Sequence, residues 1–222
     1  MSELKAFINP NDTDYHKERQ EFAKLLYENL DMLPHRYVLV LTNLCNLKCS
    51  FCFQEKKYIH GSMTTEDWIA VIDQLPKYAW VTLTGGEPFV FKDFEKIFRH
   101  LTDRFKCNII SNGLLLNEKR IDMLLGCKNF KILSISVDDI GNKARDVHPK
   151  KWKIAEDMMR LFIKKRNALN SETLLDVKTV VLDEHAHDLF DIYKYCVEDL
   201  MCDTHSFQLL KGSPMQHADY MF

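Results

Sequence analysis

Residues 37–52 read YVLVLTNLCNLKCSFC. A short, mostly apolar run (37–42) leads directly into a loop carrying Cys45, Cys49 and Cys52. An apolar run of that length suits a strand covered on both faces. From here outward the chain alternates. Thr64-Thr65-Glu66-Asp67 has the form of a capping box with Asp in place of Glu. It opens a helix carrying Trp68, Ile72 and Leu75 that Pro76 stops. Strands follow at 80–83, 107–110, 131–137, 174–181 and 206–210. Between them lie helices marked by Phe94, Ile97, Phe98 and Leu101, by Ile121, Leu124 and Leu125 after a capping Asn117, by Trp152, Ala155, Met159 and Phe162, and by Leu189, Tyr193, Cys196 and Leu200. Gly126 marks the end of the second of these. Six strands with five crossover helices demand a parallel sheet of α/β class. An open doubly wound sheet and an incomplete barrel fit this pattern equally well. Before the first strand, Phe22, Leu25, Leu26, Leu30 and Leu33 predict an amphipathic helix over 14–33, stopped by Pro34.

Composition excludes several classes. The chain has 222 residues, with 30 Lys plus Arg against 32 Asp plus Glu and a net charge of -2. That balance gives no electrostatic footprint for nucleic acid or an anionic membrane. No apolar run approaches the ~18 residues needed to span a bilayer. The first residues show no basic start followed by an apolar core, so a cytoplasmic location with reduced thiols is expected. The seven cysteines therefore need a reading other than disulfides.

Cys45, Cys49 and Cys52 form a C-x₃-C-x₂-C run. Three thiolates on one short loop can hold three irons of a four-iron cluster and leave the fourth iron open. The alternative is structural zinc, for which a fourth ligand is needed and His60 is the nearest candidate; zinc sites more often pair C-x₂-C with a second such pair. The remaining cysteines, Cys107, Cys127, Cys196 and Cys202, sit where a thiol acts as a small hydrophobe.

Thr84-Gly85-Gly86-Glu87-Pro88 follows the second strand. Missing Cβ atoms let other groups approach the backbone closely, Glu87 adds charge and Pro88 stiffens the exit. Alone, the motif also fits a plain strand-to-helix turn. Ser111-Asn112-Gly113 ends the third strand as a polar turn. On the fourth strand, Leu133, Ile135 and Val137 share one face and Ser134 and Ser136 the other, with Asp138 continuing the polar side. On the fifth, Asp176, Lys178 and Val180 share a face; Lys178 either meets a ligand carboxylate or pairs with Asp176 on a wet face. Gln208 on the last strand can reach substrate, but a buried, satisfied amide is the expectation.

Together these motifs resemble the radical S-adenosylmethionine (SAM) superfamily, whose signature is the same cysteine spacing with an aromatic residue, here Phe51, before the third Cys. The likeness spans residues ~36–210. It implies a partial (β/α)6 TIM-like barrel preceded by an N-terminal helical extension (1–35), with the core domain at 36–222. It also implies one 4Fe-4S cluster on Cys45, Cys49 and Cys52. SAM would bind at the open iron and be cleaved reductively to a 5′-deoxyadenosyl radical that abstracts hydrogen from substrate. By the same resemblance Phe51, Gly85, Gly86, Glu87, Pro88, Ser111, Ser136 and Lys178 are expected around the cofactors. The electron donor is expected to be a flavodoxin or ferredoxin, and the substrate a peptide or small molecule. The nearest branch in appearance carries C-terminal SPASM or twitch domains with further clusters. No Cys for such clusters follows the sixth strand here, so a partner chain, a further C-terminal segment or the substrate itself is expected to close the open side of the barrel.

Overall fold

The computed structural model describes residues 14–29, 32–52 and 63–210. His60 and the residues after Leu210 lie outside this range, as does Leu30.

The elements run α1 (Asp14–Glu28), β1 (Arg36–Val40), α2 (Thr65–Asp73), β2 (Trp80–Thr84), α3 (Phe94–Thr102), β3 (Lys106–Ser111), α4 (Glu118–Leu125), β4 (Phe130–Ser136), α5 (Pro149–Ala168), β5 (Leu174–Val181), α6 (Leu189–Lys194) and β6 (Thr204–Leu209). The six strands form one sheet in sequential order, every neighbouring pair parallel. Parallel pairing requires a crossover between successive strands, which the helices after β1 supply. The local signals that start those helices are present. The Thr64 side chain accepts from the Asp67 N–H while Asp67 accepts from the Thr64 N–H, and Asn117 accepts from the Arg120 N–H.

Alternation along each strand sorts the side chains. Val81, Leu83, Ile109, Leu133, Ile135 and Val177 are fully buried in one apolar cluster with Ile72, Phe98, Leu124 and Phe162 of the helices. The opposite face is polar, and several of its groups pair with one another, although the buried Ser206 hydroxyl has no hydrogen-bond partner among the described residues. The Thr82 hydroxyl and the Trp80 indole N–H both donate to Asn108 Oδ1 (2.8 and 3.0 Å). The Ser134 and Thr204 hydroxyls donate to the two oxygens of Asp176 (2.7 and 2.8 Å). An apolar outer face under helices and a polar inner face make a barrel wall. It is an open one, because β1 and β6 are the two ends of the strand order. Among the described residues nothing pairs with the outer edge of either end strand, and Val38 is 54 % exposed on β1 and Phe207 and Leu209 43 % and 77 % exposed on β6.

Two expectations shift. α1 stops at Glu28 rather than at residue 33; Phe22 anchors it by stacking on His35 (centroids 4.2 Å), while Leu25 and Leu33 stay exposed. In the last helix a π-turn over Tyr195–Asp199 adds a residue to the repeat. The buried stripe is Ile192, Tyr195, Cys196 and Leu200, and Tyr193 lies off it.

Candidate active site

At the C-terminal ends of the strands a cavity of 490 Å³ opens. Cys45, Cys49 and Cys52 line it together with Phe51, Gly85, Gly86, Ser111, Ser136, Lys178 and Gln208. In an open α/β sheet and in a barrel this end is where ligands bind. Among the described lining residues are three cationic side chains, Arg36, Arg145 and Lys178, and no carboxylate.

The cysteine loop leaves β1 and is held at its root by the β2 exit. Gly86 N–H donates to Thr42 O (2.7 Å) and Glu87 N–H to Leu44 O (2.9 Å). A Cβ on Gly85 would stand 2.5 Å from Thr42 O, and one on Gly86 2.4 Å from Leu44 O. The two glycines therefore exist first to let two backbones touch. Their place in the cavity wall follows from that contact.

Glu87 departs from expectation. Its carboxylate is fully buried, is not among the lining side chains, and accepts from Phe89 N–H (3.2 Å), Ser111 Oγ (2.9 Å) and Asn112 N–H (2.8 Å). Burial pushes this carboxyl up, and the three donors oppose that shift. Pro88 is buried as well, opening the short turn Pro88–Val90. Glu87 is a brace between the β2 and β3 exits. Because its oxygens are committed there, it brings no charge into the cavity. Ser111 lines the cavity, but its hydroxyl is spent on Glu87 and on the Gly113 N–H (3.0 Å).

Asn112, held by Glu87, reaches across to the cysteine loop. Its Nδ2 donates to Asn46 Oδ1 (2.8 Å) and lies 3.8 Å from Cys45 Sγ, which also accepts from the Leu47 N–H (3.3 Å). On the other side Arg145 Nη1 donates to Cys49 Sγ (3.9 Å). Ser136 faces the cavity at the end of β4. Lys178 lines the cavity and pairs with Asp176 Oδ2 (2.9 Å). Gln208 is half-buried in the cavity wall, not a buried amide, because β6 is the last strand of the sheet among the described residues. Sequence reasoning missed Arg145 and Arg36. Arg145 sits in an irregular loop where no periodicity marks it, and Arg36 is the first residue of a strand.

Several features suit a four-iron cluster. Three thiols from one loop open on one cavity, and polar donors aim at two of the sulfurs. A four-iron cluster takes each of three thiolates on a different iron and leaves the fourth iron open, which suits three thiols carried by one loop. The residues present fit the cluster. The other buried cysteines fit their bland reading: burial pushes the Cys196 thiol up to about 12, and raises Cys107 and Cys202 further.

The pattern that defines the Radical SAM superfamily matches residues 39–194. The chain belongs to that superfamily. Its members use a 4Fe-4S cluster and SAM. The sporulation killing factor maturation protein SkfB of Bacillus subtilis is 30% identical over 168 residues, covering 74% of this chain and 40% of the relative. A SAM-dependent nucleotide dehydratase of Selenomonas ruminantium is 36% identical over 116 residues, covering 50% and 42%. This chain thus spans about 40% of the length of these curated relatives. Among solved structures, SuiB of Streptococcus suis bound to its precursor peptide SuiA superposes with a TM-score of 0.69 at 19% identity, covering 88% of this chain and 44% of that one. This likeness supports the radical SAM partial barrel as the fold.

Proposed function

We propose that this chain is the catalytic core of a radical SAM enzyme. The observation that carries the reading is the opening of Cys45, Cys49 and Cys52, from one loop after β1, onto the cavity at the strand ends. In this reading the three cysteines hold the cluster, with Phe51 packed beneath them. When bound and reduced, the cluster supplies one electron that cleaves the S–C bond of SAM, and the resulting 5′-deoxyadenosyl radical takes hydrogen from substrate. The carbonyl-bearing backbone of Gly85 and Gly86 receives the methionine ammonium. Ser136, whose side chain faces the cavity, and Lys178 meet the SAM carboxylate or ribose. Residues 1–35 are an extension and 36–222 the core. The reductant is a low-potential one-electron donor of flavodoxin or ferredoxin type. The location is cytoplasmic; among the described residues no helix is long and apolar enough to cross a membrane.

The substrate of this reading is a peptide. Two observations support it: the maturation-protein and precursor-peptide relatives, and the side of the barrel left open between β1 and β6, through which an extended chain can enter. Such an opening also leaves room for a partner chain or a further C-terminal domain to close the site. A second reading, a nucleotide substrate, is favoured by the carboxylate-free, three-cation lining and by the nucleotide dehydratase relative. Isotope transfer separates them. The reconstituted protein is given SAM, reductant and either deuterated peptides encoded beside its gene or deuterated nucleoside triphosphates. Deuterium in 5′-deoxyadenosine from a peptide supports the first reading. Label from a nucleotide alone replaces it with the second.

A further inference from the structure

We propose that Arg145 sets the reduction potential of the cluster through Cys49, an inference that rests on the three cysteines being the cluster ligands. Among the described residues, Arg145 is a cationic side chain that donates to a sulfur of the cysteine loop. Its Nη1 donates to Cys49 Sγ at 3.9 Å, and its guanidinium carbon stands 5.4 Å from the Phe51 ring centroid. Only 14% of the side chain is exposed. On the face away from the cysteines, Arg145 Nε pairs with Asp138 Oδ2 at 2.5 Å, and Asp138 is fully buried.

The loop between β4 and α5 is built to deliver this group. Asp138 Oδ1 accepts from the Val180 N–H (2.7 Å), which fixes the carboxylate to β5. The Asp138 N–H donates to Asn142 Oδ1 (3.1 Å), and Asn142 Nδ2 donates to Ser136 O (3.2 Å). The Asp139 carboxylate accepts from the N–H groups of Lys143 and Ala144, each at 2.6 Å. Asn142 and Asp146, which bracket the short turn carrying Arg145, both hold left-handed backbone (φ 52° and 55°). Asn and Asp are the non-glycine residues that tolerate this backbone best, and the contacts around them hold it. A buried ion pair costs desolvation that a pair of apolar side chains would avoid. That cost is accepted to hold one guanidinium over one cysteine.

Reduction adds one electron, drawn from the external donor, and makes the cluster more negative by one charge. A cation and an N–H donor at a ligating sulfur stabilise the reduced form more than the oxidised form and raise the potential. Asp138, lying beyond Arg145, offsets this only in part. The pair is thus a dipole with its positive end toward Cys49.

The test is an EPR-monitored redox titration of the anaerobically reconstituted protein and its Arg145→Gln variant, without SAM, alongside iron and sulfide content. The expected result is unchanged iron and a midpoint shifted to more negative potential. A tenfold loss of reduced over oxidised cluster at fixed potential corresponds to about 59 mV for a one-electron couple. If Arg145→Gln fails to load iron, Arg145→Lys decides, because it keeps charge against Asp138 but loses the fork aimed at Cys49. A smaller negative shift in that variant supports the proposal. A wild-type midpoint in the decisive variant overturns it; a fall in SAM affinity in a separate equilibrium-binding measurement on that variant would then make Arg145 a SAM contact instead. If the parent protein takes up no iron, the cysteine reading itself fails, and iron content alone reports that outcome.

Discussion

Two fully buried carboxylates, Glu87 and Asp138, do parallel work on opposite sides of the cysteine loop. Glu87 holds Asn112, and Asn112 reaches Cys45. Asp138 holds Arg145, and Arg145 reaches Cys49. One arm ends in a neutral amide and the other in a charged guanidinium. Burial pushes both carboxyls up, and neighbouring donors or cations oppose the shift in each case. The difference lies in what reaches the sulfur. A neutral arm can fix the loop's shape; a charged arm can also bias the charge state of whatever the loop holds.

The comparison can be broken most forcefully at Asp138. Asp138→Asn removes one partner of a buried ion pair, which costs about 3–5 kcal/mol in comparable settings. The melting temperature should fall accordingly. In protein that still loads iron, the cluster potential should rise, opposite in sign to the Arg145 variants, because the offsetting negative charge is gone. A fall in potential would mean the two arms do not differ as described.

Gly86→Ala strikes the root common to both arms. Its Cβ would stand 2.4 Å from Leu44 O, a backbone atom that cannot rotate away. Forced overpacking of this kind costs about 1–3 kcal/mol, and iron uptake should drop with stability. Normal melting and normal iron content would show that the glycines are not needed for backbone contact.

Glu87→Gln should cost less, about 1–2 kcal/mol, since a buried amide can keep some of the three donors satisfied. Only the neutral arm is loosened, so the cluster should be lost faster on chelation while its potential stays near the parent value. The smallest effect belongs to Ser136→Ala. Stability should hardly change, and SAM affinity should weaken by about tenfold, the worth of one hydrogen bond of ~1.4 kcal/mol, as read by equilibrium binding.

Much of this architecture is legible in sequence because it is local. Strand–helix alternation, the Thr64–Asp67 box and the polar faces of β4 and β5 follow from short-range periodicity, and the cysteine spacing sits within eight residues. What escaped depends on contacts between distant segments. The space that Gly85 and Gly86 leave is filled by residues 42–44, so a motif read as a ligand cradle is also a backbone junction. Glu87 looked like a charge for a ligand because nothing nearby shows that Ser111 and Asn112 would consume it. Arg145 lies in a loop whose Asp, Asn and Gly residues announce turns but not the sulfur they aim at. The π-turn over Tyr195–Asp199 breaks the regular repeat, and Ile192 and Tyr195 rather than Tyr193 are buried. Gln208 is half-open because, among the described residues, β6 has no neighbouring strand on one side.

The central claim is that Cys45, Cys49 and Cys52 hold a cluster that cleaves SAM. It is tested by anaerobic reconstitution with iron and sulfide, followed by reductant and SAM, with 5′-deoxyadenosine quantified for the parent and for Cys49→Ala. The account predicts a brown protein that forms 5′-deoxyadenosine, and a variant that forms none. Full iron content and undiminished 5′-deoxyadenosine in Cys49→Ala, or a colourless parent that binds zinc and leaves SAM intact, would contradict it.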